Sequence, residues 1–468
     1  MRCERRKAHS KGSAVERRGK RRHMPHREVG TDVETKLDLI ALRAKRDPTY
    51  RFTSLAHLLN EGFLERCYRG LGRNKAAGVD RVSWQEYGEN LQENLEGLVA
   101  RLKAKRYRPL PARRVYIPKD ENTERPLGLP VQEDKVVGKG LSRILEAIYE
   151  QDFLDSSHGF RPKRGCHSAL KAVDSILLRN PINHVVEADI KGFFDAVSHK
   201  RLMEMLGRRI GDPSLLRIIG RFLIAGYKDG ELLVESVKGT PQGGTLSPML
   251  ANIFLHYVLD EWFEKEIKPQ VKGQCYLVRY CDDFIVLVQY KDEAHRILEL
   301  LRRRYAQYEL ELHTEKTNVM SFGRYEGENA RKQNRRANTF DFLGLTHYCT
   351  KSRHGSFLVG RRTAAKKFRK KVKEMARWLK AQRNRLKASE LWKSLSIKLR
   401  GHYQYYGISG NYRGVYRFYC CTTELAYKWL NRRSQRRSFN REQFARYLKR
   451  YPLPRPHIVH RLYVLSTV

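Results

Sequence analysis

Several common features are missing from this 468-residue sequence. No apolar run approaches the roughly 20 residues that a membrane-spanning helix needs, and the N-terminus has no apolar core of a secretory signal. The 8 cysteines never form a C-x-x-C pair, which argues against a zinc ribbon or finger. Their scatter fits free thiols in a reducing cytoplasm, and the adjacent Cys420 and Cys421 read as two buried small residues in a helix. No segment repeats. Acidic residues are scarce: 51 Asp and Glu against 93 Lys and Arg leave a net charge of +42. A pI near 10.1 over such a length points to a polyanionic partner. The basic residues run along the whole chain among 25 tyrosines, which suits phosphate contacts and base stacking better than one membrane-binding patch.

What is present allows several domains. Residues 1–30 hold too few large apolar side chains to bury a core and read as a disordered basic arm laid on nucleic acid. Leu55, Leu58, Leu59 and Phe63 recur at helical spacing within 53–71. A second helix follows the Lys75–Asp80 turn and breaks at Pro109 and Pro111. Val115 to Lys119 is a short strand, and Lys119 and Arg125 flank a polar hairpin tip, where two cations can clamp a triphosphate. Residues 135–149 form another amphipathic helix. His158 to Gly165 is a Gly- and Pro-broken loop before a helix, and Arg161, Lys163 and Arg164 in it suit a phosphate backbone. The small-residue loop Lys238 to Pro248 precedes an apolar helix over 249–263 and carries Gln242, both donor and acceptor. Residues 339–345 read as one short strand. Beyond about 360, Phe368, Val372, Met375 and Leu379 share one helix face, and two further apolar stripes complete a small basic bundle.

The chemistry converges on Tyr280-Cys281-Asp282-Asp283, between apolar runs that read as two strands of a hairpin. Asp189 ends the strand Val185 to Ile190. If these strands are neighbours, three carboxylates meet, which is costly without a cation between them. Two Mg²⁺ ions roughly 3.5–4 Å apart, with Mn²⁺ able to substitute, would resolve the repulsion and form a phosphoryl-transfer clamp. Lys316 stands where a leaving group could take a proton.

Asp189-x-x-x-Phe193-Phe194, Pro241-Gln242-Gly243-Gly244-x-x-Ser247-Pro248 and Tyr280-Cys281-Asp282-Asp283, in that order, resemble the reverse transcriptases. With Ala77-Gly78-Val79-Asp80, Ile117-Pro118-Lys119, Arg125-Pro126-Leu127, His158-Gly159-Phe160-Arg161-Pro162 and Leu399-Arg400-Gly401-His402-Tyr403-x-Tyr405-Tyr406-Gly407, the sequence resembles the bacterial group II intron-encoded reverse transcriptase/maturases from about 55 to 460.

The resemblance implies an α+β right-hand polymerase, with fingers and an antiparallel palm sheet, then an α-helical thumb/maturase bundle and a basic C-terminal tail. Residues 31–180 would be the fingers with their N-terminal extension. Residues 181–358 would be the palm with interleaved fingers elements, 359–430 the thumb and maturase domain X, and 431–468 a DNA-binding-like region. It implies that Asp189, Asp282, Asp283 and the Ile190 carbonyl hold the metals, and that Phe194 crowds a ribose 2′-hydroxyl. Gln242 would pack near the incoming sugar, and Phe342-Leu343-Gly344 would grip the primer. Arg400, His402, Tyr403 and Tyr406 would meet RNA. The partners implied are dNTPs, RNA template and DNA primer, the intron RNA and target DNA, in a cytoplasmic ribonucleoprotein without a membrane; a homodimer is compatible with this.

Two residues depart from the family pattern: Cys281 stands where Ala is usual and Arg81 where Gly is usual. The sequence ends at Val468 without a His- and Cys-rich endonuclease module, so a mobile element of this kind is expected to use single-stranded DNA or nicks made elsewhere. A splicing-only maturase and a reverse transcriptase recruited to phage defence are the alternatives.

Overall fold

A computed structural model describes residues 31–118, 123–240, 243–433 and 438–463. The expected basic arm, Lys119 and Gln242 lie outside these residues.

The strands fall into three sheets. β1 (Ala112–Pro118) pairs antiparallel with β2 (Glu124–Leu129), so Ile117 faces Arg125. β3 (His184–Ala188) belongs to the central sheet. β4 (Tyr227–Asp229) and β5 (Leu232–Val234) extend the first sheet in the order β2-β1-β4-β5. β6 (Cys275–Tyr280), β7 (Asp283–Val288) and β8 (Asn318–Ser321) complete the central sheet, in the order β6-β7-β3-β8 with every pair antiparallel. β9 (Thr339–Phe342), β10 (Leu345–Lys351) and β11 (Phe357–Thr363) form the third sheet.

The central sheet divides two hydrophobic cores. Successive strand side chains point to opposite faces, so Val186, Ala188, Phe284, Val286 and Val288 enter one core. Val185, Val278, Ile285 and Leu287 enter the other. This is why β7 reads as unbroken apolar sequence: both of its faces are covered. The first core takes in the helices Glu61–Arg69, Gln132–Tyr149 and Ser247–Leu255. The second is shared with the C-terminal helices Ala365–Gln382, Ala388–Tyr406 and Tyr412–Leu430 through Met375, Leu395, Leu399, Tyr403 and Phe418. A buried ion pair, Arg361 to Asp174 at 2.5 Å, ties β11 to the Cys166–Arg179 helix across that core.

Three local expectations are corrected. The helix expected over 53–71 breaks near Asn60, whose side chain accepts from the Phe63 amide at 3.0 Å and starts a fresh helix. The strand expected over 339–345 is a hairpin corner: Phe342 pairs with Leu345, and Leu343 and Gly344 form a two-residue turn with φ of 50° and 76°. The segment after 431 is no detached tail in its described part. Leu453 and Leu462 are buried, the Tyr403 hydroxyl donates to the Pro454 carbonyl, and the His460 amide donates to the Gly407 carbonyl.

Candidate active site

The β6–β7 hairpin turns through two residues, Cys281 and Asp282, with Tyr280 and Asp283 paired across it. Cys281 has φ of 60°, a left-handed conformation that L-residues adopt at a cost. The turn is held from beneath. Arg279 is fully buried, and all five of its guanidinium N–H groups find acceptors. Two go to the Asp260 carboxylate at 2.7 and 2.5 Å, one to Asn252 Oδ1 at 3.0 Å, one to Ser157 Oγ at 2.8 Å and one to the Cys281 carbonyl at 2.9 Å. The 156–159 loop lies along β6, with the Arg279 amide donating to Ser156 and the His158 amide to the Arg279 carbonyl. A Cβ on Gly159 would stand 2.5 Å from the Cys281 nitrogen, so the approach of loop to turn requires glycine.

Asp189 follows β3, whose Ala188 pairs with Phe284, and so comes to the same sheet end as the turn. Its carbonyl accepts from the His313 amide, and its carboxylate is 2.6 Å from the Lys316 ammonium. Ile190 is buried and bridges to Leu312. Asp189, Asp282 and Asp283 line one cleft of about 730 Å³ with Glu187, Asp341, Arg125, Phe194, Lys316, Lys367 and the 342–344 corner. Phe194 lies on the short Phe193–Ala196 helix in edge contact with buried Phe193. Its carbonyl accepts from Thr240, which anchors the loop that leads to Gln242.

The acidic groups are unequally compensated. Desolvation by the cleft walls, then the neighbouring Asp282 and Asp189, push the Asp283 carboxyl up to about 6, against the pull of Lys367 and Arg125. Asp283 remains open to water in the cleft mouth. Burial, with Asp341, Asp189 and Asp283 nearby, pushes Glu187 up to about 7. Among the described residues no three His, Cys, Asp or Glu side chains are gathered as a ready cage. The donor set still fits hard divalent cations: carboxylate oxygens on a rigid sheet end, with repulsion that Lys316 and Arg125 do not cancel.

Other expected residues fare differently. Arg161 is not a phosphate contact. Its side chain is 3% exposed, forks onto Glu150 and donates to the Leu154 and Ser157 carbonyls, so it clamps the loop from inside. Lys163 is exposed, and Arg164 is half-buried against Asp155 at 2.6 Å. Tyr403 is fully buried in the second core and cannot touch RNA. Arg400 is exposed, whereas His402 and Tyr406 are buried and line a pocket among the C-terminal helices. Sequence reading missed Arg279, Asp260 and Asn252, although ionisable and amide residues inside apolar segments are the signal of a buried polar network. It also missed Glu187, two residues before Asp189 and therefore on the same strand face.

Paired acidic strand ends over a cleft walled by cations are the kind of donor arrangement that two-metal phosphoryl transfer uses. Residues 117–347 match the family described as reverse transcriptase (RNA-dependent DNA polymerase). The chain is 32% identical over 302 residues to the group II intron-encoded protein LtrA of Lactococcus lactis subsp. cremoris, an alignment covering 62% of this chain and 50% of the relative. It is 32% identical to protein YkfC of Escherichia coli K12, with 53% of this chain and 74% of the relative aligned. It is 34% identical to a 91 kDa protein in the cob intron of Schizosaccharomyces pombe, over 50% of this chain and 29% of the relative. The chain belongs to the reverse transcriptase family, on the branch of the group II intron-encoded proteins. It spans about half the length of LtrA.

Proposed function

We propose that the chain is an RNA-directed DNA polymerase encoded by a group II intron, which also binds the intron RNA to assist splicing and mobility. The observation that carries this reading is the meeting of Asp189 with the Asp282-Asp283 turn in one cleft, with Arg125, Lys316 and Lys367 on its walls. In this reading 31–180 are fingers, 181–358 are palm with interleaved fingers elements, 359–430 are thumb and maturase domain, and 431–468 are a basic DNA-binding-like region.

Asp189, Asp282, Asp283 and the Ile190 carbonyl would hold two divalent ions, Mg²⁺ with Mn²⁺ as a substitute. When bound, these ions activate the primer 3′-hydroxyl and stabilise the leaving pyrophosphate. The protein supplies position and charge. Arg125, together with Lys119, neutralises the triphosphate. Phe194 closes the floor beside the sugar and disfavours a 2′-hydroxyl, and Gln242 packs against the same sugar. The 342–344 corner steadies the primer end. Lys316, paired with Asp189, turns to the phosphates when a nucleotide enters and donates a proton to the leaving group. Lys163, Arg164 and Arg400 meet RNA backbone largely independently of sequence. The partners are dNTPs, a primed RNA template, the intron RNA and target DNA, within a bacterial cytoplasmic ribonucleoprotein.

The test is cDNA synthesis on a primed RNA template. Asp282→Asn and Asp283→Asn each remove synthesis while RNA affinity stays near that of the unaltered protein. Full synthesis by both variants sinks the assignment.

A further inference from the structure

A second cavity lies outside the cleft, between the helices Ala365–Gln382, Ala388–Tyr406 and Tyr412–Leu430. Its volume is about 500 Å³, within the range of small-molecule sites. The walls are flat rings: Trp378, His402, Tyr405, Tyr406 and Phe418. His402 stacks on Phe418 with centroids 3.7 Å apart and planes 14° apart. Lys371, Glu374 and Lys398 also line the cavity: the Lys371 ammonium pairs with the Glu374 carboxylate at 2.9 Å, and the Lys398 ammonium stands 4.8 Å from the centre of the Trp378 ring.

Two features make this more than a gap between helices. His402 is 7% exposed, and its Nε2 is buried without a hydrogen-bond partner. A buried polar nitrogen left so costs free energy until something pairs with it. Burial, and Lys371 nearby, push this imidazole down to about 4, so the ring is neutral and offers one donor or one acceptor. In addition, Gly401 sits in the interior of the Ala388–Tyr406 helix, where glycine weakens a helix, and a Cβ there would meet nothing within 4 Å. Packing therefore does not require glycine at 401, whose bare backbone lines the cavity.

We propose that this cavity receives a single unpaired nucleobase splayed from an RNA strand, stacked among the aromatic walls, with its polar edge on His402 Nε2 and its phosphates on Lys371 and Lys398. The chemistry selects this occupant: flat walls for a π-face, one neutral polar atom for a base edge, and cations in the lining for the flanking backbone. The inference rests on the RNA-binding half of the proposed function and adds a reader of unpaired bases to it. The Tyr405 ring that lines the cavity also reaches the 342–344 corner through its hydroxyl, so one hydrogen bond links the two sites.

The experiment uses the full chain and five RNA hairpins of one stem, one fully paired and four with a single bulged A, C, G or U. The unaltered protein is expected to bind at least one bulged hairpin about tenfold more tightly than the paired one. Gly401→Leu, which adds bulk to the lining without breaking the helix, and Trp378→Ala, which removes a wall, are each expected to erase that preference. Affinity for the paired hairpin and cDNA synthesis stay unchanged in both variants, which separates loss of this pocket from failure of the polymerase or general RNA-binding reading. The proposal is overturned if no bulge is preferred, or if the preference persists in both variants. Tight binding of free AMP, CMP, GMP or UMP with no preference among the hairpins would overturn the assignment to a strand.

Discussion

Arg279 donates a guanidinium hydrogen bond to the carbonyl of Cys281 at 2.9 Å, and so holds the acidic turn by its backbone. The same guanidinium neutralises Asp260 in a site with no water access. Arg279→Met leaves Asp260 buried and unpaired, and is expected to cost about 3–5 kcal/mol in urea unfolding. The pair Arg279→Met with Asp260→Leu should recover much of that stability. It should not recover cDNA synthesis, because nothing then holds the Cys281 carbonyl. Recovery of synthesis in the double variant would mean that the network only stabilises.

Tyr405 reaches from the C-terminal helices to the other side of the cleft and donates to the Leu343 carbonyl at 3.0 Å. Loss of one such bond is worth about 1 kcal/mol, close to a fivefold effect. Tyr405→Phe is expected to raise KM for primed template about fivefold and leave kcat within about twofold. Steady-state extension at varied primer–template concentration measures the split; an equal fall in kcat argues against a positioning role.

Cys281 occupies a left-handed turn position, and so does Arg81 with φ of 59°. Burial holds the Cys281 thiol far above its ordinary value, so it stays protonated and plays no chemical part. Cys281→Ala is expected to keep cDNA synthesis within about twofold. Cys281→Val, with a β-branched side chain forced to positive φ, should lose more than about tenfold. Similar rates for the two variants would show that backbone strain at this corner is unimportant.

Asp134 is buried beneath the start of the Gln132–Tyr149 helix, accepting from the Tyr107 hydroxyl at 2.5 Å and the Leu110 amide at 2.9 Å. Desolvation outweighs both bonds and pushes its carboxyl up to about 7. A carboxyl whose pKa is raised by folding binds more protons in the folded state. Its contribution is complete below the unfolded value of 3.8 and is lost as pH rises to about 7. Asp134→Asn removes that dependence. The stability of the variant relative to the unaltered protein should therefore climb between about pH 4 and 7, by on the order of 3–4 kcal/mol, and level off above. Urea titrations at several pH values read this directly, and parallel pH profiles would refute the raised carboxyl.

Much of the site could be read before any coordinates. Adjacent aspartates between two apolar strands, and a third aspartate after a Val-rich strand, carry their meaning locally, because strand ends and tight turns are short-range features. Arg161 and Tyr403 misled for the opposite reason. An arginine in a Gly- and Pro-broken loop and a tyrosine in a basic helix look solvent-facing until other segments fold over them, the preceding helix end at Glu150 and the later segment at Pro454.

The sequence by itself carried the expectation of a class of chemistry and of a polyanionic partner, since both rest on residue type, charge and short spacing. Only the tertiary structure decided that the three aspartates share one sheet end. It also decided that Arg279 underpins their turn, and that the C-terminal helices complete the second core and enclose an aromatic cavity. Those facts depend on strand register and on the packing of segments far apart in the chain, such as β3 on β7, which no local pattern encodes.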